Sequence, residues 1–186
     1  MPPSVKITKE EIINATVDIV RKNGAQAINA RTVASSLNCS TQPIFSNFET
    51  MDELRIAVEK RADKIYNEYI IREIESKKFP EYKASGIAYI RFAKEEKELF
   101  KLLFMRDRTD EKIPEKIEFG NMIEGIVQSS TGLNSEDAKI FHLEMWAYVH
   151  GIATMFATGF LNLDWGIVSK MITDAYKGLC KQYGME

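Results

Sequence analysis

The segment Thr41-Gln42-Pro43-Ile44-Phe45-Ser46-Asn47 holds the side chains of this sequence best suited to a chemical task. Thr41, Gln42, Ser46 and Asn47 are uncharged hydrogen-bonding groups, interleaved with apolar Ile44, Phe45 and Phe48. A glutamine or asparagine amide can pair with adenine through two hydrogen bonds, and a threonine can meet a thymine methyl or a phosphate. On a short helix, Ile44, Phe45 and Phe48 would anchor the underside against Val33 and Leu37, leaving the polar groups outward. Pro43 lacks an N–H and fits only the first turn. If Ser40 caps the helix, its hydroxyl must bond the Gln42 N–H; alternatively the helix begins at Pro43 with Gln42 as cap. In both cases the proline ring stands where a thymine methyl could touch it.

Other chemistries lack their constellations. His142 and His150 are the only histidines. Eight residues apart on a helix, they diverge by about 80° and form no metal pair. No E-x-x-H or C-x-x-C spacing occurs, which removes di-iron bundle and zinc readings. No G-x-S-x-G, G-x-x-x-x-G-K or glycine-rich phosphate loop occurs, so neither a catalytic set nor a cofactor is expected.

The elements that must position residues 41–47 are helical. Thr8 with Glu11 forms a capping box, followed by Ile12, Thr16, Ile19 and Ile13, Val17, Val20 on one broad face. Gly24 suits a left-handed C′ position after this first helix. Asn29 is a good N-cap for a second helix carrying Val33, Ala34 and Leu37 inward. "LNCS" turns the chain, and the third helix must finish near Asn47, because Thr50 with Glu53 opens another at once. Two short helices joined by a tight turn, with a supporting helix before them, make a helix-turn-helix. Its second helix enters the DNA major groove.

Beyond residue 50 a long helix is expected to about residue 76, broken near Pro80. Another covers about 82–95, and "KELFKLLFM" continues or restarts it. A charged loop with Pro114 precedes helices near 115–130, 135–159 and 164–182. No alternating strand pattern or repeat occurs. The fold class is all-α with about nine helices, and the boundary falls between residues 1–50 and 51–186. Ala138, Phe141, Met145, Val149, Ile152, Phe156 and Phe160 recur at three- and four-residue steps. Ala147, Gly151, Ala153, Ala157 and Gly159 would allow close helix approach.

Residues 8–55, "TKEEIINATVDIVRKNGAQAINARTVASSLNCSTQPIFSNFETMDELR", resemble the N-terminal domain of the tetracycline-repressor (TetR) family of transcriptional regulators. The resemblance implies three helices for DNA and the remainder for dimerisation and a small-molecule pocket. It implies that Asn29 and Arg31 contact phosphate or a base, with Thr41, Gln42, Pro43, Ser46 and Asn47 at recognition positions and Phe45 partly a core anchor. The family often has aromatic-aromatic-His where this chain has Phe45-Ser46-Asn47, and Lys where it has Met51. Two common phosphate contacts are therefore missing or weakened. "WAYVHG" resembles a Trp/His-Gly helix of many regulatory domains, which implies that the last two long helices pair with a second copy. Phe92, Phe104, Phe119 and Met122 are candidates to line an effector pocket. Met145, Trp146, His150 and Phe156 are the others.

The chain has 186 residues, 45% hydrophobic and 28% charged, enough for a real core and unlike a disordered segment. Its net charge of -2, with seven basic and seven acidic side chains in residues 1–60, argues against strong nonspecific nucleic-acid binding. Any positive patch must come from arrangement. Two distant cysteines, no apolar run of membrane-spanning length and no apolar leader in "MPPSVKITKEE" lead us to expect a cytoplasmic protein. The competing reading is an all-α small-molecule or protein-binding module that no longer reads DNA.

Overall fold

The structure, a computed structural model, describes residues 7–107 and 121–185, with the backbone alone for 121, 122 and 124. The expected Pro114 loop and Phe119 lie outside the described residues, as does the Met122 side chain. Nine α-helices and one 3₁₀ turn make up the described residues, with no strand among them. They form two compact units, one of residues up to Asn67 with Glu96–Arg106, the other of Glu68–Glu95 with the chain from Asp107 onward.

In the first unit, helix α1 (Lys9–Asn23) opens on the expected capping box. The Glu11 N–H donates to Thr8 Oγ1 at 3.2 Å and the Thr8 N–H to Glu11 Oε2 at 2.8 Å. The Thr8 N–H, and the Thr8 hydroxyl that also donates to Glu11 Oε2, hold the Glu11 carboxyl below its ordinary range. Ile12, Thr16, Val17, Ile19 and Val20 are buried along one face, and the Thr16 hydroxyl donates back to the Ile12 carbonyl. Gly24 ends the helix at φ 79°, ψ 168°. The positive φ was anticipated; the ψ was not. This region is open essentially to glycine alone, whereas a true left-handed cap would admit asparagine. A Cβ here would also lie 2.5 Å from the Gln26 side chain.

A 3₁₀ turn (Ala25–Ala27) leads to α2 (Ala30–Ser36), where Asn29 Oδ1 accepts from the Thr32 N–H at 3.0 Å. Helix α3 (Gln42–Asn47) follows, then α4 (Met51–Glu75). The Thr50–Glu53 start forms only half its box. Glu53 N–H donates to Thr50 Oγ1, but the Glu53 carboxylate takes the Glu49 N–H instead. Residues 97–104 restart as a separate helix, α6 (Lys97–Phe104), after a break at Glu96. It packs on α1, where Arg21 grips Glu96 through two bonds of 2.9 and 2.8 Å.

The second unit contains α5 (Glu81–Glu95), α7 (Asn121–Thr131), α8 (Ser135–Thr158) and α9 (Trp165–Gln182). Asn134 caps α8 by accepting the Glu136 and Asp137 N–H groups, and Asp164 caps α9 by accepting that of Gly166. Gly159 ends α8 in the left-handed conformation, so Phe160 leaves the apolar stripe and is 77% exposed. The expected stripe from Ala138 to Phe156 is buried, while Gly151 faces open space and needs no close neighbour.

Helices α5 and α8 form the most extensive contact of this unit. Two hydrogen bonds cross it, Tyr82 Oη with His142 Nδ1 at 2.9 Å and Tyr89 Oη with His150 Nδ1 at 2.8 Å. Both rungs ascend together in sequence, so the two helices run in the same direction. Burial pushes the His142 imidazole down to about 4 and that of His150 down as well. The unfolded chain takes up the same protons near 6.5, so acidification from about 6.5 towards 4 favours unfolding and removes stability. In a denaturant series between pH 7 and pH 4.5, His142→Gln should lose less stability than the native chain. Parallel losses in the two proteins would contradict this.

Candidate nucleic-acid interface

Helix α3 is built to sit on the first unit and show its other side. Ile44 and Phe48 are fully buried, four residues apart on one face, together with Val33 and Leu54. Pro43 occupies the first turn, as its missing N–H requires. Thr41 stands at the cap position but is already helical in backbone, and its side chain makes no capping bond. The turn before it reaches α3 through Asn38 at φ 51°, a left-handed position that asparagine tolerates better than other non-glycine residues. Backbone bonds from Asn38 N–H to Ser35 O and Cys39 N–H to Ala34 O close the turn.

The outer surface differs from the sequence expectation in two places. Phe45 is 52% exposed and does not anchor the helix, because at roughly 100° per residue it lies well around from Ile44. Asn47 is half-buried rather than outward. Its amide nitrogen donates to Pro43 O at 2.8 Å and Ile7 O at 3.4 Å, which ties α3 to the chain just before α1. Ser46 is exposed, but its hydroxyl donates to Gln42 O at 2.9 Å. Gln42 is exposed, with no side-chain hydrogen bond among the described residues, and Asn29 and Arg31 are exposed at the start of α2.

Three supporting residues escaped the sequence reading. Arg55, on α4, donates from Nη2 to Ile28 O at 2.7 Å and from Nη1 to Ala25 O at 3.4 Å, fixing the approach to α2. Lys9 bonds Glu53 at 2.8 Å and lies over the Phe48 ring, 4.6 Å from its centre. The signal for Asn38 was present in "LNCS", since asparagine is the usual stand-in for glycine at positive φ.

The expected effector-pocket residues are dispersed. Phe92, Met145 and Phe156 are buried in the second unit, Trp146 and His150 are half-buried on α8 with their rings 5.2 Å apart, and Phe104 belongs to the first unit. There Phe104 meets the edge of Tyr66 and lies 5.2 Å from Phe100. Among the described residues no group of His, Cys, Asp and Glu could hold a metal ion. No helix of the described residues is long and apolar enough to cross a membrane.

Residues 82–171 match the family model for the tetracyclin repressor-like, C-terminal domain. This likeness supports the TetR family. The matched span runs from α5 into α9 and so complements residues 8–55, on which the sequence resemblance rests. A solved structure, that of a TetR-like transcriptional regulator from Rhodococcus sp. RHA1, shares the fold with a TM-score of 0.65. It covers 97% of this chain and 98% of its own, at 14% identity. No curated protein sequence matches the chain.

Proposed function

We propose that this chain is a sequence-specific DNA-binding transcriptional regulator, acting as a homodimeric repressor released by a small-molecule effector. The observation that carries the proposal is α3 itself, a short helix clamped from beneath by Ile44 and Phe48 with an uncharged outer arc. On this reading residues 1–50 read DNA and residues 51–186 bind effector and partner copy. Thr41, Gln42, Pro43, Phe45, Ser46 and Asn47 face the major groove, Ser46 and Asn47 through their oxygens as acceptors. Asn29 and Arg31 meet the phosphates beside it. Ser46, Asn47 and Met51 stand where the family often carries phosphate-contacting groups, so the salt dependence of binding is shallow.

Dimerisation would use α8 and α9. Ile140, Ala147, Tyr148 and Gly151 lie exposed on one side of α8, and Ile167 is exposed on α9. A two-fold pair displays two recognition helices to two half-sites, so the operator is a palindrome. An effector beside Trp146, His150 and the buried Phe92, Met145 and Phe156 would release the operator by favouring a dimer whose helix spacing no longer fits. That requires different affinities for the two states.

Selection from a random duplex pool tests the function. Enrichment of a palindrome supports it; a pool that stays unenriched favours the module that binds small molecules or proteins only. With the selected operator, Gln42→Ala should weaken binding by about 1–3 kcal/mol and relax preference at one base pair. Arg31→Ala should weaken all sequences alike and reduce the salt slope by about one. Unchanged titrations at fixed salt would remove those two residues from the interface.

A further inference from the structure

We propose that the core of each half-site is read chiefly through thymine 5-methyl groups, with Phe45 the residue that sets this preference. The proposal rests on the DNA-binding function above and adds the chemistry of the base edge that is recognised.

The hydrogen-bond donors of α3 are mostly committed inside the protein. The Ser46 hydroxyl donates to the Gln42 carbonyl, and the Asn47 amide nitrogen donates to the carbonyls of Pro43 and Ile7. Both four-residue back-bonds hold the side chains against the helix rather than away from it. Gln42 is left as the exposed amide able to make a paired contact with adenine. Beside it, three residues along and hence on the same side, stands Phe45, 52% exposed. Among the described residues no ring and no cation stacks on it. The half-buried Pro43 lies on the other flank of Gln42.

The outer arc is thus apolar, amide, apolar. No charged residue lies between Thr41 and Asn47. A phenyl face offers nothing to a phosphate, and it cannot satisfy the donors and acceptors that guanine, cytosine and adenine show in the major groove. Thymine alone presents an apolar group there. An adenine opposite Gln42 with thymine methyls against Phe45 and Pro43 uses all three side chains, and the remaining polar groups of those base pairs are left to water.

The test uses the full chain and the operator selected above. Deoxyuridine replaces thymine one position at a time, which removes the methyl and leaves the base pair intact, and affinity is read by fluorescence anisotropy. At the Phe45 contact the loss should be roughly fourfold, the factor that burying one methyl group carries. Phe45→Ala should bind the thymine duplex more weakly and lose its sensitivity to deoxyuridine at that position alone. Its exposed location predicts an unchanged melting curve, which separates lost recognition from lost folding. A palindrome whose core binds equally well with deoxyuridine throughout overturns the methyl proposal while leaving DNA binding intact. So does full deoxyuridine sensitivity in Phe45→Ala, or a core with no thymine. A pool with no enriched sequence overturns both.

Discussion

Phe48→Ala should lower the stability of the first unit by about 3–5 kcal/mol and abolish operator binding. Phe48 is 1% exposed and is among the largest fully buried side chains of the protein. It closes α3, donating its N–H to the Ile44 carbonyl at 2.9 Å. Its ring also carries Lys9, which in turn holds Glu53. Truncation therefore opens a cavity beneath α3 and removes the surface on which that ion pair rests. The Lys9–Glu53 pair is exposed and adds little by itself. Denaturant midpoints from circular dichroism measure the first effect and operator titration the second. A variant that keeps both would show that α3 is held by something other than its apolar underside.

Phe92→Ala should be as damaging in the second unit, again by about 3–5 kcal/mol. Phe92 is fully buried and meets the edge of Tyr69 at 5.5 Å between ring centres. Tyr69 in turn donates from its hydroxyl to Glu95 at 3.0 Å, and Glu95 neighbours Arg91, which is bonded to the buried Glu73. Removing the ring disturbs this polar arrangement as well as leaving a void. The measurement also separates two roles for the residue. A loss within about 0.5 kcal/mol, as at a surface site, would mark Phe92 as the wall of a wetted pocket. A large loss marks it as core.

The helices were legible because the signals that define them are local. Capping at Thr8 and Asn29, the apolar recurrence along α1 and α8, and the proline within the first turn of α3 each involve residues a few positions apart. The polar outer face of α3 was legible as composition but not as chemistry. Whether Ser46 and Asn47 present donors depends on side-chain rotamers and, for Asn47, on the Ile7 carbonyl forty residues away. Phe45 was misplaced because Ile44, Phe45 and Phe48 cannot all share the one buried face at the end of so short a helix, and at about 100° per residue Phe45 is the one turned away. The Phe160 misplacement is different: Gly159 was counted as a small packing residue when it is the left-handed end of α8. Neither tyrosine paired with a histidine was anticipated. Spacings of seven and eight match across α5 and α8 only when both helices are known to run in the same direction.

Those two tyrosine–histidine bonds restrict how the second unit can move. Sliding α8 by one turn along α5 would separate both phenols from their imidazoles at once, stranding polar atoms in a low-dielectric interior. Small adjustments cannot relieve that, because the rungs lie about two turns apart and would have to break together. The helices α5 and α8 should therefore travel as a single girder. Any shape change within the second unit would have to be taken up at the ends of that girder, at helix breaks such as Gly159, rather than by slippage within it.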